Sequence, residues 1–320
     1  MRFNLHCMMP LVLCLSACSE DMNQKALTPK ALLLLFSLMA LMFIGLWVRS
    51  LLRMRRENLA WNWPRPIELA VGAVTDFFDT LGIGAFAPST AIFRLAKIVP
   101  DELIPGTLNV GHTLPTIAQA LIFIQIVDVA PSTLLPMISA AGIGAWLGTK
   151  LVGDLPRFQI RLGMGFAMLL AASIMLLSLL GVLPAGKDAL MLAGWQWWVG
   201  VIGNFVLGLL MPLGIGLYAP CMILVSLLGM SPLAAFPIMM GSCAFLMPIS
   251  SAGFFQNRRY QVSSALGLAM AGVPAVLLAA FLVKSLELDT LRWGVVGIVT
   301  YVALSILYSA WRDRRRTANS

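Results

Sequence analysis

Two carboxylates, Asp76 and Asp79, stand three residues apart deep inside an apolar stretch, and His112 stands midway along the next one. On a helix, a spacing of three puts both acids on one face. An uncompensated charge within a bilayer is expensive, and such residues mark ion or proton pathways by default. Two readings fit the pair. It is a proton- or sodium-coupling site or a group that organises the first hairpin, or its carboxylates cap local backbone N–H groups or pair with an inner-loop Arg. His112 is flanked by Asn109, Gly111, Thr113 and Thr116. A neutral imidazole there donates to an anion or relays a proton near neutral pH, and a satisfied packing residue fits equally well. Asn204, Tyr218, Ser242 and Cys243 are the corresponding polar residues further along. They serve a substrate or make helix–helix hydrogen bonds.

The elements that must position these groups are announced by a motif that occurs twice. Residues 82–88 read Gly-Ile-Gly-Ala-Phe-Ala-Pro, and residues 214–220 read Gly-Ile-Gly-Leu-Tyr-Ala-Pro, 132 positions later. Gly82, Ile83 and Gly84 interrupt one long apolar stretch, and Gly214, Ile215 and Gly216 interrupt another. Glycine frees the backbone to turn, and Pro suits the first turn of the helix that follows. Interrupted apolar segments at corresponding places in two halves are the best sequence pointer to a transporter's binding site. The helix starts at Pro88-Ser89-Thr90 and Pro220-Cys221 offer free N–H groups and a positive dipole end. Two such ends facing one pocket suit a small oxyanion with no fixed Lys or Arg. The alternative is that the glycines merely let two hairpins pack closely.

Composition sets the surroundings. Of 320 residues, 59% are hydrophobic and 11% charged, against about 25% charged in soluble chains; the mean hydropathy is +0.88. Apolar runs lie near 31–48, 67–96, 103–127, 132–152, 159–183, 195–228, 233–255, 262–283 and 291–311, joined by short connections. Runs of this length read as transmembrane helices. The net charge of +8 needs no nucleic acid to explain it, because the basic residues sit in short loops, as on the cytoplasmic side of membrane proteins. Trp195, Trp197 and Trp198 read as an interfacial belt, and the Gly142, Gly144, Gly148 spacing as a close helix contact. Neither the five Cys nor the two His suggest a zinc or haem site, and no cofactor is expected.

The fold expected is an all-α polytopic membrane protein of two pseudo-symmetric halves. Each half is a broken helical hairpin followed by three transmembrane helices, spanning 67–183 and 195–311. One extra helix and a basic loop precede them (22–66), and a basic tail follows (312–320). The repeat extends to Pro105 and Pro237, and with a two-residue slip to Gly111-His112-Thr113 and Gly241-Ser242-Cys243. If both broken segments are re-entrant, most of the 22 Lys and Arg fall on the side of the Arg-rich C-terminus; if both cross, the two sides come near parity. The positive-inside bias favours re-entrant hairpins entering from opposite sides, an inverted repeat. The C-terminus is then cytoplasmic and the N-terminus periplasmic. Residues 1–21 resemble a bacterial leader, with a lipoprotein-like box at Leu15-Ser16-Ala17-Cys18. Lipidation of Cys18, an uncleaved leader and a later start near Met22 all fit.

At these motifs the chain resembles the sulfite exporter TauE/SafE family of bacterial permeases, over roughly residues 67–310. Two Gly-rich broken segments followed by Pro, and a Gly-Thr-Ser-like element in the next helix, carry the resemblance. The chain departs from that pattern at Ala85-Phe86 and Leu217-Tyr218, where further glycines are usual, and at His112, where a small hydroxyl residue is common. The resemblance implies an inner-membrane secondary transporter of a small anion such as sulfite, a sulfonate or another organic acid. Substrate would meet Gly82, Ile83, Gly84, Ser89, Thr90, Asn109, His112, Thr113, Gly214, Gly216, Tyr218 and Ser242, with Asp76 and Asp79 sensing a coupling proton or sodium ion. The rival readings are an intramembrane enzyme, for which His112 has no partner evident in the sequence, and a passive channel or scaffold.

Overall fold

A computed structural model describes residues 24–58, 61–153, 157–182, 189–214 and 216–282, with single helical positions between 293 and 311. The leader-like stretch 1–21, the tail 312–320 and Ile215 lie outside the described residues. Among the described residues the chain is helical, with an isolated bridge between Ala189 and Met230. In order, the helices are α1 (Gln24–Arg56), α2 (Pro66–Thr80), α3 (Phe86–Leu95), α4 (Ile104–Ile126), α5 (Pro131–Gly153), α6 (Arg157–Leu179), α7 (Gly194–Leu210), α8 (Tyr218–Leu227), α9 (Pro232–Asn257) and α10 (Val262–Leu282).

Five of them contain stretches long and apolar enough to cross a bilayer: Lys30–Arg56, Pro131–Leu151, Gly194–Leu213, Leu233–Asn257 and Val262–Phe281. Large side chains left uncovered on these spans, such as Leu41, Trp198 and Phe281, are apolar. Polar residues are turned inward instead. The helix α4 buries Thr107, Asn109, His112, Thr113, Thr116 and Gln119, because α1, α9 and α10 pack around it. The protein is therefore an all-α, membrane-embedded bundle whose polar groups are collected at its centre.

Both glycine motifs break a helix. The helix α2 opens with Pro66, and Glu68 at its third position accepts the Arg65 N–H at 2.7 Å, a reciprocal capping arrangement. It closes where Gly82 N–H donates to Asp79 O at 2.8 Å and Ile83 N–H to Phe78 O at 3.2 Å. Gly82 and Gly84 take φ of +85° and +88°, the left-handed region that side chains with a Cβ avoid. After α7, the chain makes a 3-10 turn at Met211–Leu213 and ends it on Gly214, at φ +90°.

Hydrogen bonds place the two ends of each broken segment together. At one end of the bundle, Ser264 at the start of α10 donates to Glu68 near the start of α2, at 2.8 Å. The neighbouring Gln261 donates its side chain to Ile98 O, just past α3, and its N–H to Thr107 Oγ1 at the start of α4. Both ends of the segment α2–α3 thus lie at this end of the bundle. Arg258 pairs here with Glu57, and Arg53, 3.0 Å from the same carboxylate, holds Glu57 below the usual carboxylate range by its hydrogen bond, with help from Arg258. At the far end of α4, Gln196 near the start of α7 donates to Leu228 O just past α8. Leu192 N–H donates to Thr133 Oγ1 at the start of α5, and Ser231 N–H to Ala189 O. Both ends of the segment α7–α8 lie at that opposite end.

The shafts of the two segments pack on exchanged partners. The helix α2 lies along α10, and α7 lies along α5, while α4 and α9 cross at the centre. Glycines make both seams close. A Cβ on Gly72 would come 2.7 Å from Leu268 Cα, and one on Gly208 would come 2.7 Å from Ala141 Cα. Gly144 and Gly148 face the backbone of Phe205 and Leu209 in the α5–α7 seam, as the spacing predicts. Gly142 instead accommodates the Phe245 ring of α9.

Candidate functional site

The two breaks meet. A Cβ on Gly216 would lie 3.4 Å from Phe86 Cβ, and one on Gly84 would lie 3.9 Å from Tyr218 Cβ. Between them opens a cavity lined by Asp79, Phe86, His112, Thr116, Tyr218 and Cys243, together with backbone of both tips. Its volume is about 40 Å³. On a measure where one water needs about 10–15 Å³, it holds about three waters or one small ligand.

Asp79 closes the first tip. Its Oδ1 accepts the Ala85 N–H at 2.5 Å, and its Oδ2 accepts from Gln119 Nε2 at 2.9 Å. Gln119 also donates to Thr80 Oγ1 at 3.1 Å and receives the Tyr218 hydroxyl on its Oε1. The chain Asp79–Gln119–Tyr218 therefore ties the α2 break to the start of α8 across the cavity. Asp79 fits the capping reading, since it holds a backbone N–H at the tip, and it also lines the cavity.

Asp76 faces elsewhere. Its Oδ1 lies 2.8 Å from His112 Nδ1, and the other imidazole nitrogen, Nε2, lies 3.1 Å from Ser89 Oγ. Ser89 donates to Thr75 Oγ1 at 3.1 Å, and Thr75 donates to Val71 O at 2.8 Å. All of these groups are buried, and Asp76 Oδ2 has no partner. That oxygen lies against Gly272 of α10, the only residue type that leaves room for it there. His112, for which the sequence makes no partner evident, has two in the fold. Its partners are 36 and 23 residues away in sequence, and only the folded bundle brings them together. The Asp–His–Ser order matches that of an orienting acid, base and nucleophile. Ser89, however, is fully buried, is not among the residues lining the cavity, and has its hydrogen committed to Thr75.

Of the residues singled out from sequence, Ile83, Gly84, Asp79, His112, Gly214, Gly216 and Tyr218 line the cavity. Gly82 packs against Phe236. Ser89 and Asp76 stand behind His112. Thr90 is buried on α3, Asn109 donates to Pro105 O, and Thr113 donates to Asn109 O. Ser242 accepts from Asn204 at 2.8 Å in a contact between α7 and α9, which is the helix–helix alternative. Thr116, noted beside His112 in the sequence, also lines the cavity; missed from sequence were Gln119, Thr75 and the buried Glu68 that clamps α2 to α10. Gln119 had a visible signal, an amide in an otherwise apolar turn of α4; Thr75 had none, since a helix Thr bonding its own i−4 carbonyl is common. Among the described residues no cluster of His, Cys, Asp or Glu is placed to hold a metal. No family model, curated protein or solved structure matches the chain.

Proposed function

We propose that this chain is a secondary transporter that moves a small anion across a bacterial inner membrane by alternating access, coupled to an ion gradient. The observation that carries the reading is the pair of glycine-tipped breaks, entering from opposite ends of the bundle and meeting at one cavity of small-ligand size. Irregular backbone at such depth is tolerated where it is buried or lines a watery cavity. The exchange of seams, α2 on α10 and α7 on α5, supports two halves related by a two-fold axis in the membrane plane, the inverted repeat of many such transporters. The end that carries Arg53, Arg65, Arg94 and Arg258 is assigned to the cytoplasm by the positive-inside bias. The motif resemblance to TauE/SafE permeases points the substrate class toward sulfite, sulfonates and related acids.

A side-chain donor for an anion is at hand in Thr116, beside the backbone of the two tips, while the Tyr218 hydroxyl is spent on Gln119 and the two imidazole nitrogens of His112 face Asp76 and Ser89, so these two must let go of their partners to meet a substrate. Asp79 adds a carboxylate to the same wall, so the anion and Asp79 compete unless a cation accompanies the substrate. That competition favours cotransport over a passive channel. The burial of Ser89 away from the cavity argues against the enzyme reading. The test is uptake of labelled sulfite, and separately of a small sulfonate, into proteoliposomes with and without an imposed proton or sodium gradient. Accumulation above equilibrium under a gradient is expected. Asp76→Asn with Asp79→Asn reduces it more than it reduces substrate binding; normal accumulation by that double variant refutes the coupling assignment.

A further inference from the structure

The hydrogens along the chain of bonds behind the cavity can be counted. Val71 O only accepts, so the single hydrogen of Thr75 is spent on it, at 2.8 Å. Thr75 Oγ1 can then only accept from Ser89, at 3.1 Å. This commits the one hydrogen of Ser89, so His112 Nε2 must be the donor in the 3.1 Å contact with Ser89 Oγ. With Nε2 protonated, the 2.8 Å contact between Nδ1 and Asp76 Oδ1 still needs a hydrogen of its own. That hydrogen sits either on Asp76 or on Nδ1. The second carboxylate oxygen decides between them, because Oδ2 is buried with no partner. A charged oxygen left bare in an apolar interior costs far more than a bare carbonyl oxygen of a neutral acid.

We infer that Asp76 and His112 together form a proton-binding site, in which Asp76 is a neutral acid donating to His112 and Thr75 fixes that occupancy from two bonds away. Asp79 is the opposite case. Both its oxygens accept from N–H groups, Ala85 and Gln119, so it stands as a carboxylate. The other titratable groups near the pair are Tyr218 of α8 and Cys243 of α9, both across the cavity. From α10 the pair meets Gly272, and from α3 it meets Ser89. Release balances as follows. The Asp76 hydrogen passes to Nδ1, the former Nε2 proton leaves to the cavity that His112 lines while the Nε2–Ser89 contact is open, and Ser89 then turns its hydrogen from Thr75 to the bare Nε2. One proton is lost, and the pair gains one negative charge.

Thr75 is a positioning residue in this scheme. With Thr75→Val, Ser89 loses the acceptor that holds its hydrogen away from His112 Nε2, and the balance shifts toward the released form. The role of this proton in coupling rests on the transporter reading above; its presence does not. The experiment is difference infrared spectroscopy of the full chain in lipid vesicles at neutral pH, reading the carbonyl stretch of a neutral carboxylic acid. Wild type shows the band, Asp76→Asn loses it, Asp79→Asn keeps it, Thr75→Val weakens it, and Thr75→Ser restores it. A wild type without the band, a band that persists in Asp76→Asn, or one that is undiminished in Thr75→Val overturns the inference. If Thr75→Val does not fold, the first three proteins still decide. Bands as expected, with uptake indifferent to a proton gradient, leave this site standing and sink the coupling mechanism instead.

Discussion

Gly272→Ala tests whether α10 holds Asp76 against His112. The added Cβ would lie 2.6 Å from Pro115 Cγ and 2.8 Å from Asp76 Cγ, both well inside van der Waals contact. Either the carboxylate swings off His112 or α10 backs away from α2, where Gly72 and Leu268 already touch. Overpacking of this kind costs about 1–3 kcal/mol. The assay is reversible denaturant unfolding in mixed micelles, followed by fluorescence of the nine Trp. A double-mutant cycle with Asp76→Ala then separates the two contacts. Removing the carboxylate relieves part of the cost of Gly272→Ala, while the Pro115 contact remains, so a coupling of at least about 0.5 kcal/mol is expected between neighbours of this kind. Strict additivity, or a Gly272→Ala cost below about 0.5 kcal/mol, would show that Asp76 is not pressed against α10, and the account of its bare oxygen would fall with it.

Tyr218→Phe removes the hydroxyl that reaches Gln119 across the cavity. Leaving that buried amide oxygen without its donor costs about 1–3 kcal/mol in the same unfolding assay, and an unchanged midpoint refutes the tie between the tips. Lys97→Cys and Met191→Cys, both at exposed positions on opposite ends of the bundle, react with a membrane-impermeant thiol reagent from the cytoplasmic and periplasmic sides respectively. Labelling of both from one side refutes the pair of oppositely entering hairpins.

The breaks at Gly82–Gly84 and at Gly214 were legible because a left-handed backbone selects glycine, and two copies at one offset are hard to miss. Asp76, Asp79 and His112 stood out because a bilayer makes polar residues conspicuous. Their bonding was not legible. Asp76 and Asp79 share a helix face, yet one turns to His112 and the other to the Ala85 N–H, a choice set by the path of the chain after Gly82. Asn109 and Ser242 looked like site residues by type and place. Asn109 spends its donor on its own helix, and Ser242 is taken by Asn204, since a helix buried on every side must satisfy its polar groups wherever a partner is nearest. Glu68 was passed over because it sits at the start of its segment, where a carboxylate normally reaches water; here α10 covers it.

The swapped seams bear on how the chain is made. Glu68 waits for Ser264, 196 residues further along, and Gly72 waits for Leu268. A ribosome releases the first hairpin long before the helix that shields it. Until then the nascent hairpin is an orphan: Glu68 has the neighbouring Arg65 alone as partner, and the face around Gly72 is uncovered. Neither the stretch before residue 183 nor the one after 195 covers its own helices, and a chain cut between them is expected to survive only when both fragments are inserted together.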